Sequence, residues 1–289
     1  MIEHDVVIIG SGIAGMTAGI YLKRNNVDCL IIENDAPGGQ LNRSNIIENY
    51  PGYVSIDGPS LAYNIYNQVN KLDINYLFDD ILNIDFDNNI IETNNKKIKY
   101  NYLIIATGRS PKKLDILSKY EGNGVSYCAI CDGNLYKDKD VIVVGGGNSA
   151  FEEAIYLSKI CNSVKIIHRN DNLRADKSEI DKVYSLNNVE VILNEEISEI
   201  SEDLDLDKFV INNKYKVDGI FVCIGYIPNS RIFNLKKDND YIIVDNHYKT
   251  NIDNVYAVGD VIKKDIYQLT TATNDATIAS INIIKKING

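Results

Sequence analysis

The sequence has less positive than negative charge and no long hydrophobic run. Its 289 residues include 30 Lys and Arg against 40 Asp and Glu, a formal net charge of −10. Such a surface does not attract the phosphates of nucleic acid or of anionic lipid. The longest apolar runs, such as Val6–Ile9 and Val141–Val144, are far below the roughly 20 residues that cross a bilayer. We therefore expect a cytoplasmic protein without a signal peptide and with neither nucleic acid nor membrane as a partner.

Cysteine and histidine are scarce as well. The five cysteines are too few and too irregularly spaced for the disulfide framework of a small secreted domain. Cys29, Cys161 and Cys223 lie in apolar surroundings, which is typical of small buried side chains. Only Cys128 and Cys131 have a spacing with chemical meaning. Half of a zinc site is one reading of this pair, but zinc needs more ligands than the isolated histidines and a single C-x-x-C supply.

A pattern of strand, glycine-rich turn and helix occurs twice in the chain. The two copies keep the same internal spacing, because Gly12 to Glu33 and Gly147 to His168 both span 21 positions. In each copy the glycines follow an all-apolar strand and open a predicted helix. Glycine permits the tight turn, and the free N–H groups at the start of the helix attract a pyrophosphate. The pattern therefore predicts two dinucleotide-binding units.

The fold class predicted from this duplication is α/β, with two Rossmann-like three-layer dinucleotide-binding domains. Near the C-terminus a predicted strand, Val255–Val258, leads into Gly259-Asp260 and then into a helix of roughly Thr273–Lys286. We expect this tail to pack back onto the first unit. The first domain is then discontinuous, with residues 1–111 and 233–289 around a central domain of residues 112–232.

The end of the second strand in each copy indicates which dinucleotide is bound. Glu33 can accept hydrogen bonds from both ribose hydroxyls of an adenosine without a 2′-phosphate, so we expect FAD in the first site. At the matching place the second copy has His168 and Arg169, and Arg174 follows five residues later. Positive charge there suits the 2′-phosphate of NADPH. The alternative for the two arginines is an ordinary solvated turn.

The segment from Ser126 to Gly133 places two thiols, Cys128 and Cys131, just before the second dinucleotide strand. This spacing permits a strained and reducible disulfide. Thiol-disulfide exchange requires a thiolate, and the neighbouring Asp132 can carry the proton that accompanies its formation and decay. The alternative role for Asp132 is a helix N-cap.

The chain resembles the low-molecular-weight, bacterial-type thioredoxin reductases over nearly its whole length. The most specific feature is Cys128-Ala-Ile-Cys131-Asp132-Gly133, followed within a dozen residues by Gly145-Gly-Gly-Asn-Ser-Ala150. Supporting segments are Gly38-Gly39-Gln40-Leu41, Glu48-Asn49-Tyr50-Pro51-Gly52, Ala106-Thr107-Gly108, His168-Arg169 with Arg174-Ala175, and Val258-Gly259-Asp260.

The resemblance implies a homodimeric FAD enzyme that reduces thioredoxin or a thioredoxin-like protein. It implies that Cys131 faces the flavin, that Cys128 attacks the substrate disulfide and that Asp132 is the acid-base group. It also implies rotation of the central domain about hinges near Arg109–Leu114 and Ser230–Asn234. The implied FAD contacts are Gly10, Gly12, Ile13, Ala14, Gly15, Glu33, Gly39, Gln40, Leu41, Asn49, Ile81, Ala106, Thr107, Gly108, Gly259, Asp260, Gln268 and Leu269. The expected NADPH contacts are Gly145, Gly147, Asn148, Ser149, His168, Arg169 and Arg174.

Two departures from the family pattern concern the electron donor. The family usually has two adjacent arginines after the histidine, but the second position here is Asn170. It usually has Arg-Gln before the C-terminal helix, where this chain has Tyr267-Gln268. Each replacement removes a cation near the NADPH phosphate or the flavin, and a charge-assisted contact is worth about 1.5 to 3 kcal/mol.

Three hypotheses about function follow from the sequence. The intact glycine turn at Gly145 and Gly147 favours NADPH as the electron donor, which is the reading we expect to hold. The missing arginines favour the related ferredoxin-dependent flavin thioredoxin reductases, which use no pyridine nucleotide. The third hypothesis is a flavin-bound sensor or scaffold whose thiols do not turn over.

Overall fold

The computed structural model describes residues 1–44, 46–203 and 206–289, and the chain forms two compact units. Unit 1 consists of Met1–Arg43, Asn49–Ser110 and Ile227–Gly289, and unit 2 consists of Ser44–Glu48 and Pro111–Tyr226. The chain changes unit at 110/111 and 226/227, one and six residues before the predicted limits at 111/112 and 232/233, and also at 43/44 and 48/49.

The secondary structure follows the predicted alternation. The strands of the described residues, in chain order, are β1 (Ile2–Ile9), β2 (Cys29–Glu33), β3 (Ile46–Ile47), β4 (Ile56–Asp57), β5 (Asn75–Phe78), β6 (Ile81–Asp85), β7 (Ile90–Thr93), β8 (Lys97–Ile105), β9 (Arg109–Pro111), β10 (Val125–Ser126), β11 (Asp140–Val144), β12 (Ser163–His168), β13 (Val189–Leu193), β14 (Ile200–Asp203), β15 (Lys208–Ile211), β16 (Tyr215–Val217), β17 (Gly219–Val222), β18 (Tyr226–Pro228), β19 (Lys237–Asp238), β20 (Tyr241–Ile242) and β21 (Val255–Ala257). The α-helices are α1 (Ile13–Arg24), α2 (Gly58–Lys71), α3 (Ala129–Asp132), α4 (Asn148–Leu157), α5 (Lys177–Tyr184) and α6 (Leu269–Asn288).

Unit 1 is built on a seven-stranded sheet in the order β5-β2-β1-β8-β7-β6, with β21 also paired to β8. Strands β5, β2, β1, β8 and β21 are parallel, while β7 and β6 are antiparallel. The first half of β8 pairs with β7, and its second half pairs with β21, where Val255 lies opposite Leu103. The expectation that the tail packs onto the first unit is confirmed.

The core of unit 1 explains why these strands are uninterrupted apolar runs. Val6–Ile9 of β1 and Leu103–Ile105 of β8 are buried, since both faces of a parallel sheet are covered. Helix α1 lies on β2, where an added Cβ at Gly19 would meet the Ile31 side chain at 3.1 Å. Helix α6 lies against α1, where the Ser280 hydroxyl reaches the Ala18 carbonyl at 3.5 Å.

Unit 2 contains a second parallel sheet, in the order β10-β17-β11-β12-β13. A three-stranded antiparallel sheet, β14-β15-β16, belongs to the same unit. The core around α4 includes Phe151, Phe221 and Ala129, and the last of these begins the short helix that carries the cysteine pair. The predicted α/β class with two Rossmann-like units is confirmed, and the first of them is discontinuous in sequence.

One boundary differs clearly from expectation. Helix α6 begins at Leu269 rather than near Thr273, because Gln268 and Thr271 form a reciprocal capping box at its start. Among the described helices, none combines the length and apolarity needed to cross a membrane.

Replacing Phe221 by Ala should destabilise unit 2. The ring is fully buried and packs edge-on against Tyr136, with centroids 5.2 Å apart. A cavity of this kind costs about 3 to 5 kcal/mol in the free energy of unfolding, measured by urea denaturation. The control is Tyr184→Ala on α5, whose side chain is largely exposed and whose loss should change that free energy by about 0.5 kcal/mol or less. Equal losses from both variants would contradict the assigned core.

Candidate active site

The predicted cofactor residues of unit 1 gather at one edge of its sheet. Parallel strands end on the same side, so the segments that follow β1, β2, β8 and β21 lie together. Two contacts demonstrate this convergence. An added Cβ at Gly10 would stand 2.5 Å from the Ala106 carbonyl oxygen, and one at Gly259 would stand 3.0 Å from the Ala14 Cβ. The segments that follow β1, β8 and β21 therefore meet, and Glu33 of β2 joins them through the contact described below.

The turn after β1 is shaped for close approach of a ligand. Gly10 has a φ of +101°, which side chains rarely adopt, and Gly12 is the N-cap of α1. No side chain caps this helix, and its first turn carries no acidic residue. The first N–H groups of α1 are therefore available to an anion, as a pyrophosphate requires.

Glu33 lies at the end of β2, directly beside this turn. Its carboxylate accepts the Ser11 N–H at 2.7 Å and the Asn34 N–H at 2.8 Å. The side chain is thus held at the edge of the sheet, beside the residues of the glycine turn. This is the position from which a carboxylate reaches an adenosine ribose in dinucleotide-binding folds.

Further predicted FAD residues lie around the same edge. Gly39, Gln40 and Leu41 form a short turn packed beside Gly12, and Gln40 donates to the Arg109 carbonyl at 2.8 Å. Asn49 donates to Gln268, the N-cap of α6, at 3.2 Å. Leu41 is buried, and Ile81 packs against the core at the start of β6. Both side chains are apolar, so each can offer a cofactor van der Waals contact but no hydrogen bond.

A residue missed by the sequence reasoning restores the cation that Tyr267 removes. The Arg109 guanidinium lies 3.7 Å from the centre of the Tyr267 ring and 3.6 Å from the Asp260 carboxylate. Lys264 lies 3.4 Å from Asp260 and 2.8 Å from the buried Asp275. The site therefore has two cations beside Asp260 although the family arginine is absent. The stacking was invisible in sequence, because Arg109 and Tyr267 are 158 positions apart.

These features fit FAD. An adenine dinucleotide needs three features: a helix whose first N–H groups are uncapped, a glycine turn before it, and a carboxylate that can bond the ribose. All three occur together in unit 1.

Unit 2 repeats the turn with different chemistry. Gly147 is the N-cap of α4, again without a capping side chain or an acid in the first turn. The buried His168 ring packs directly on Gly146, where an added Cβ would stand 2.5 Å from the ring. Asn148 exchanges two hydrogen bonds with Asp176, at 2.7 and 2.9 Å. These contacts tie the loop after β12 to the glycine turn.

Two arginines project from that loop. Arg169 and Arg174 are exposed, and the Arg174 N–H donates to the Gly146 carbonyl at 2.7 Å. Within the part of the chain that the structure describes, neither guanidinium lies in an ion pair with a carboxylate. Asn170 is exposed beside them. The loop thus offers two cations beside the dinucleotide turn, while Ser149 is exposed on the first turn of α4.

The cysteine pair is a disulfide at the start of α3. Cys128 is the N-cap of this one-turn helix, and the Cα atoms of Cys128 and Cys131 are 5.3 Å apart. The Cys131 N–H donates to the Cys128 sulfur at 3.2 Å. Both residues are partly exposed, as exchange with another disulfide requires. In the described residues no cluster of three or more metal-ligating side chains is found.

Ser126 connects the first cysteine, Cys128, with the predicted acid-base residue, Asp132. The sequence did not single it out. Its hydroxyl donates to the buried Asp132 carboxylate at 2.6 Å and accepts the Cys128 N–H at 3.1 Å. Asp132 is the last residue of α3 and occupies the N-cap position of the 3-10 helix Gly133–Tyr136 that follows, but its side chain makes no capping hydrogen bond there. The signal was a serine two residues before the first cysteine.

The other three cysteines have the expected character. Cys29, Cys161 and Cys223 are free and buried. Burial raises the pKa of the Cys29 thiol to about 12 and that of Cys161 to about 11, and it raises the pKa of Cys223 well above its ordinary value. Such thiols do not form thiolates readily, so the prediction that these residues are small buried side chains is confirmed.

Known proteins share both the fold and the full length of this chain. The pyridine nucleotide-disulphide oxidoreductase family matches residues 4–276. The chain is 36% identical to a thioredoxin reductase of Bacillus subtilis over 295 aligned positions, covering 97% of this chain and 93% of that one. The chain belongs to the bacterial-type thioredoxin reductases.

Two further relatives agree in extent. A 34.2 kDa protein in the rubredoxin operon of Clostridium pasteurianum is 40% identical over 305 aligned positions, covering 99% of this chain and 98% of that one. The crystal structure of thioredoxin reductase from Streptococcus pyogenes superposes with a TM-score of 0.87 at 35% identity, covering 99% and 98% of the two chains. The family consists of flavoprotein oxidoreductases that use FAD and NADPH.

Replacing Arg109 by Ala should weaken FAD binding. The substitution removes the guanidinium that stacks on Tyr267 and pairs with Asp260, so the Asp260 carboxylate loses one of its two cations. Loss of one charge-assisted contact predicts roughly tenfold weaker binding. The measurement is a fluorescence titration of deflavinated protein with FAD. Arg24→Ala, at the exposed end of α1, is the control and should bind as wild type; equal affinity of both variants would show that Arg109 does not support the site.

Proposed function

We propose that this thioredoxin reductase passes electrons from NADPH through FAD to the Cys128–Cys131 disulfide and on to thioredoxin or a thioredoxin-like protein. The observation that carries the proposal is the partly exposed disulfide with a buried carboxylate one residue beyond it. The two dinucleotide turns of the same chain support it, since one ends in a carboxylate and the other is flanked by arginines.

The proposed binding residues are those named from the sequence. Gly10, Gly12 and Glu33 hold FAD together with the segments that follow β8 and β21. Gly145, Gly147 and the loop with Arg169 and Arg174 hold NADPH. When bound, NADPH would supply a hydride and FAD would carry the two electrons needed to reopen the disulfide.

The thiols then act by exchange. The Cys128 thiolate attacks one sulfur of the substrate disulfide, forming a mixed disulfide and releasing the other substrate sulfur as a thiolate. Cys131 attacks the Cys128 sulfur, which re-forms the intramolecular disulfide and releases the second substrate sulfur. Two electrons thus leave with the substrate.

Asp132 moves the accompanying proton. Its carboxylate, fixed by the Ser126 hydroxyl, accepts a proton as a thiolate forms and returns it to the departing sulfur. Because Ser126 also holds the Cys128 N–H, one hydroxyl sets the geometry of both the nucleophile and the acid-base group.

The family resemblance supports a homodimer, a cytoplasmic location and rotation of the central domain. Besides the segment Ser44–Glu48, the chain passes between the units within β9, where the hinge Arg109–Leu114 is expected, and within β18, shortly before the expected hinge Ser230–Asn234. These two crossings are the proposed hinge regions. Once the Cys128–Cys131 disulfide has been reduced, rotation would let Cys128 reach a protein substrate.

A ferredoxin-fed reductase is the second candidate, favoured by Asn170. Asn170 stands where the family usually has a second arginine, so Arg169 and Arg174 are the arginines of the loop. Each lost contact between a cation and a phosphate weakens NADPH binding roughly tenfold or more. The glycine turn and these two arginines favour NADPH.

Anaerobic titration with NADPH should bleach the visible flavin absorbance. We expect full bleaching by NADPH, and we expect Asn170→Arg to need roughly tenfold less free NADPH because it adds a phosphate-binding cation. Reduced ferredoxin is the comparison donor. Protein that stays yellow in excess NADPH but bleaches with ferredoxin would establish the second candidate instead.

Replacing Ser126 by Ala should lower turnover with thioredoxin without removing FAD. The change leaves the buried Asp132 carboxylate without this donor, and loss of a hydrogen bond to a charged group predicts about a 10- to 100-fold decrease in kcat. The measurement is NADPH oxidation coupled to disulfide reduction, with flavin absorbance as the check on folding. Cys128→Ser should abolish turnover, and a Cys128→Ser protein as active as wild type would contradict the proposed thiol mechanism. Wild-type protein that retains FAD but shows no disulfide reduction would leave the sensor or scaffold hypothesis.

A further inference from the structure

Besides Asp132, a second carboxyl group lies near the cysteine pair, that of Glu153 on α4. Its carboxylate accepts the Cys223 S–H at 2.7 Å and the backbone N–H of Ala129, the residue that follows Cys128. Ala129, Cys223 and the neighbouring Ala154 belong to one buried cluster of unit 2. Glu153 therefore joins α4, the end of β17 and the first residue of the redox helix.

The groups that face Glu153 are acidic or neutral. Asp132 on α3 and Glu152 on α4 both raise its pKa by repulsion, and the Cys223 thiol is uncharged. Burial is the main cause that raises the pKa of Glu153 to about 7, and the bonds from Cys223 and Ala129 oppose that rise. Within the described residues no ion pair joins Glu153 to a cation.

We propose that Glu153 is a positioning residue for the redox pair: it fixes the peptide between Cys128 and Ala129 on α4, and its negative charge opposes formation of the Cys128 thiolate. The proposal rests on the redox role of the pair and is independent of the electron donor and of the substrate protein.

The sign and size of the effect follow from distance. Ala129 is bonded to Cys128, so bond lengths place the carboxylate within roughly 8 Å of the Cys128 sulfur. A like charge there disfavours the thiolate. As pH rises, Glu153 ionises and holds back the ionisation of Cys128, which broadens its titration. Removing the charge should move the midpoint of that titration about 0.5 to 1 pH unit lower.

The test measures alkylation of Cys128 as a function of pH. Holoprotein is reduced with dithiothreitol, desalted anaerobically and treated with iodoacetamide, and the modified Cys128 peptide is quantified by mass spectrometry. We expect a broad profile for wild type and a sharper one at lower pH for Glu153→Gln. The glutamine keeps an oxygen that can accept the Ala129 N–H, so shape is preserved while charge is lost. A merely structural role would scale the rate equally at all pH values.

Two further variants complete the design. Glu190→Gln makes the same chemical change on the exposed end of an ion pair with Lys165, and its profile should match wild type. Cys223→Ala removes the S–H donor while keeping Glu153. Since that donor lowers the pKa of Glu153, its loss keeps the carboxyl neutral to higher pH and should shift the Cys128 midpoint toward that of Glu153→Gln.

The outcomes are decisive in either direction. A Glu153→Gln midpoint equal to that of wild type, or a shift also given by Glu190→Gln, overturns the proposal. If Glu153→Gln fails to retain flavin or to fold, Cys223→Ala decides, and an unchanged midpoint in that variant overturns the proposal. The assay needs neither NADPH nor thioredoxin, so its failure is separate from failure of the proposed function.

Discussion

Parallel pairing of β8 with β1 on one side and β21 on the other is the constraint on which the flavin site depends. Ile105 lies opposite Ile9 and Ala257 at once, so three distant segments end at the same level of the sheet. The chain must leave each strand there, and the turns that follow come into contact. Gly10 makes that contact possible, because any side chain would collide with the Ala106 carbonyl. A slip of one strand by two residues would separate the turns and dismantle the site.

The sequence allowed prediction of those structural features that depend on residues close together in the chain. Apolar strands, glycine turns and the C-x-x-C spacing each depend on near neighbours, and the two-unit α/β class followed from their repetition. Asp132 was found because it adjoins Cys131. Its hydrogen-bond partner Ser126 was missed, because a serine at the surface or in a turn often has no catalytic role. Only the folded segment shows that its hydroxyl bridges Cys128 and Asp132. Glu153 was missed for a stronger reason, because its contacts span from Ala129 to Cys223 and depend on the tertiary fold.

The two departures from the family motif lie in different surroundings. At Tyr267 the missing cation is replaced by Arg109, which stacks on the new aromatic ring and pairs with Asp260. An aromatic face accommodates a guanidinium well, so the substitution and the compensating arginine form one arrangement. At Asn170 the described part of the structure provides no such replacement beyond Arg169 and Arg174. The two departures therefore differ in the charge around them: a guanidinium lies beside Tyr267, whereas Asn170 leaves Arg169 and Arg174 as the arginines of its loop.

The two dinucleotide turns show how one backbone arrangement acquires opposite ligand preference. In unit 1, Glu33 accepts the Ser11 N–H and brings a full negative charge to the turn, which repels a 2′-phosphate. In unit 2 the matching residue is His168, whose ring fills the space over Gly146 and contributes no carboxylate. The loop beyond it then carries its arginines outward beside the turn, where an added phosphate is attracted. Because the preceding spacing is identical, the proposed discrimination between FAD and NADPH would depend on a single side chain at the end of the second strand and on the loop that follows it.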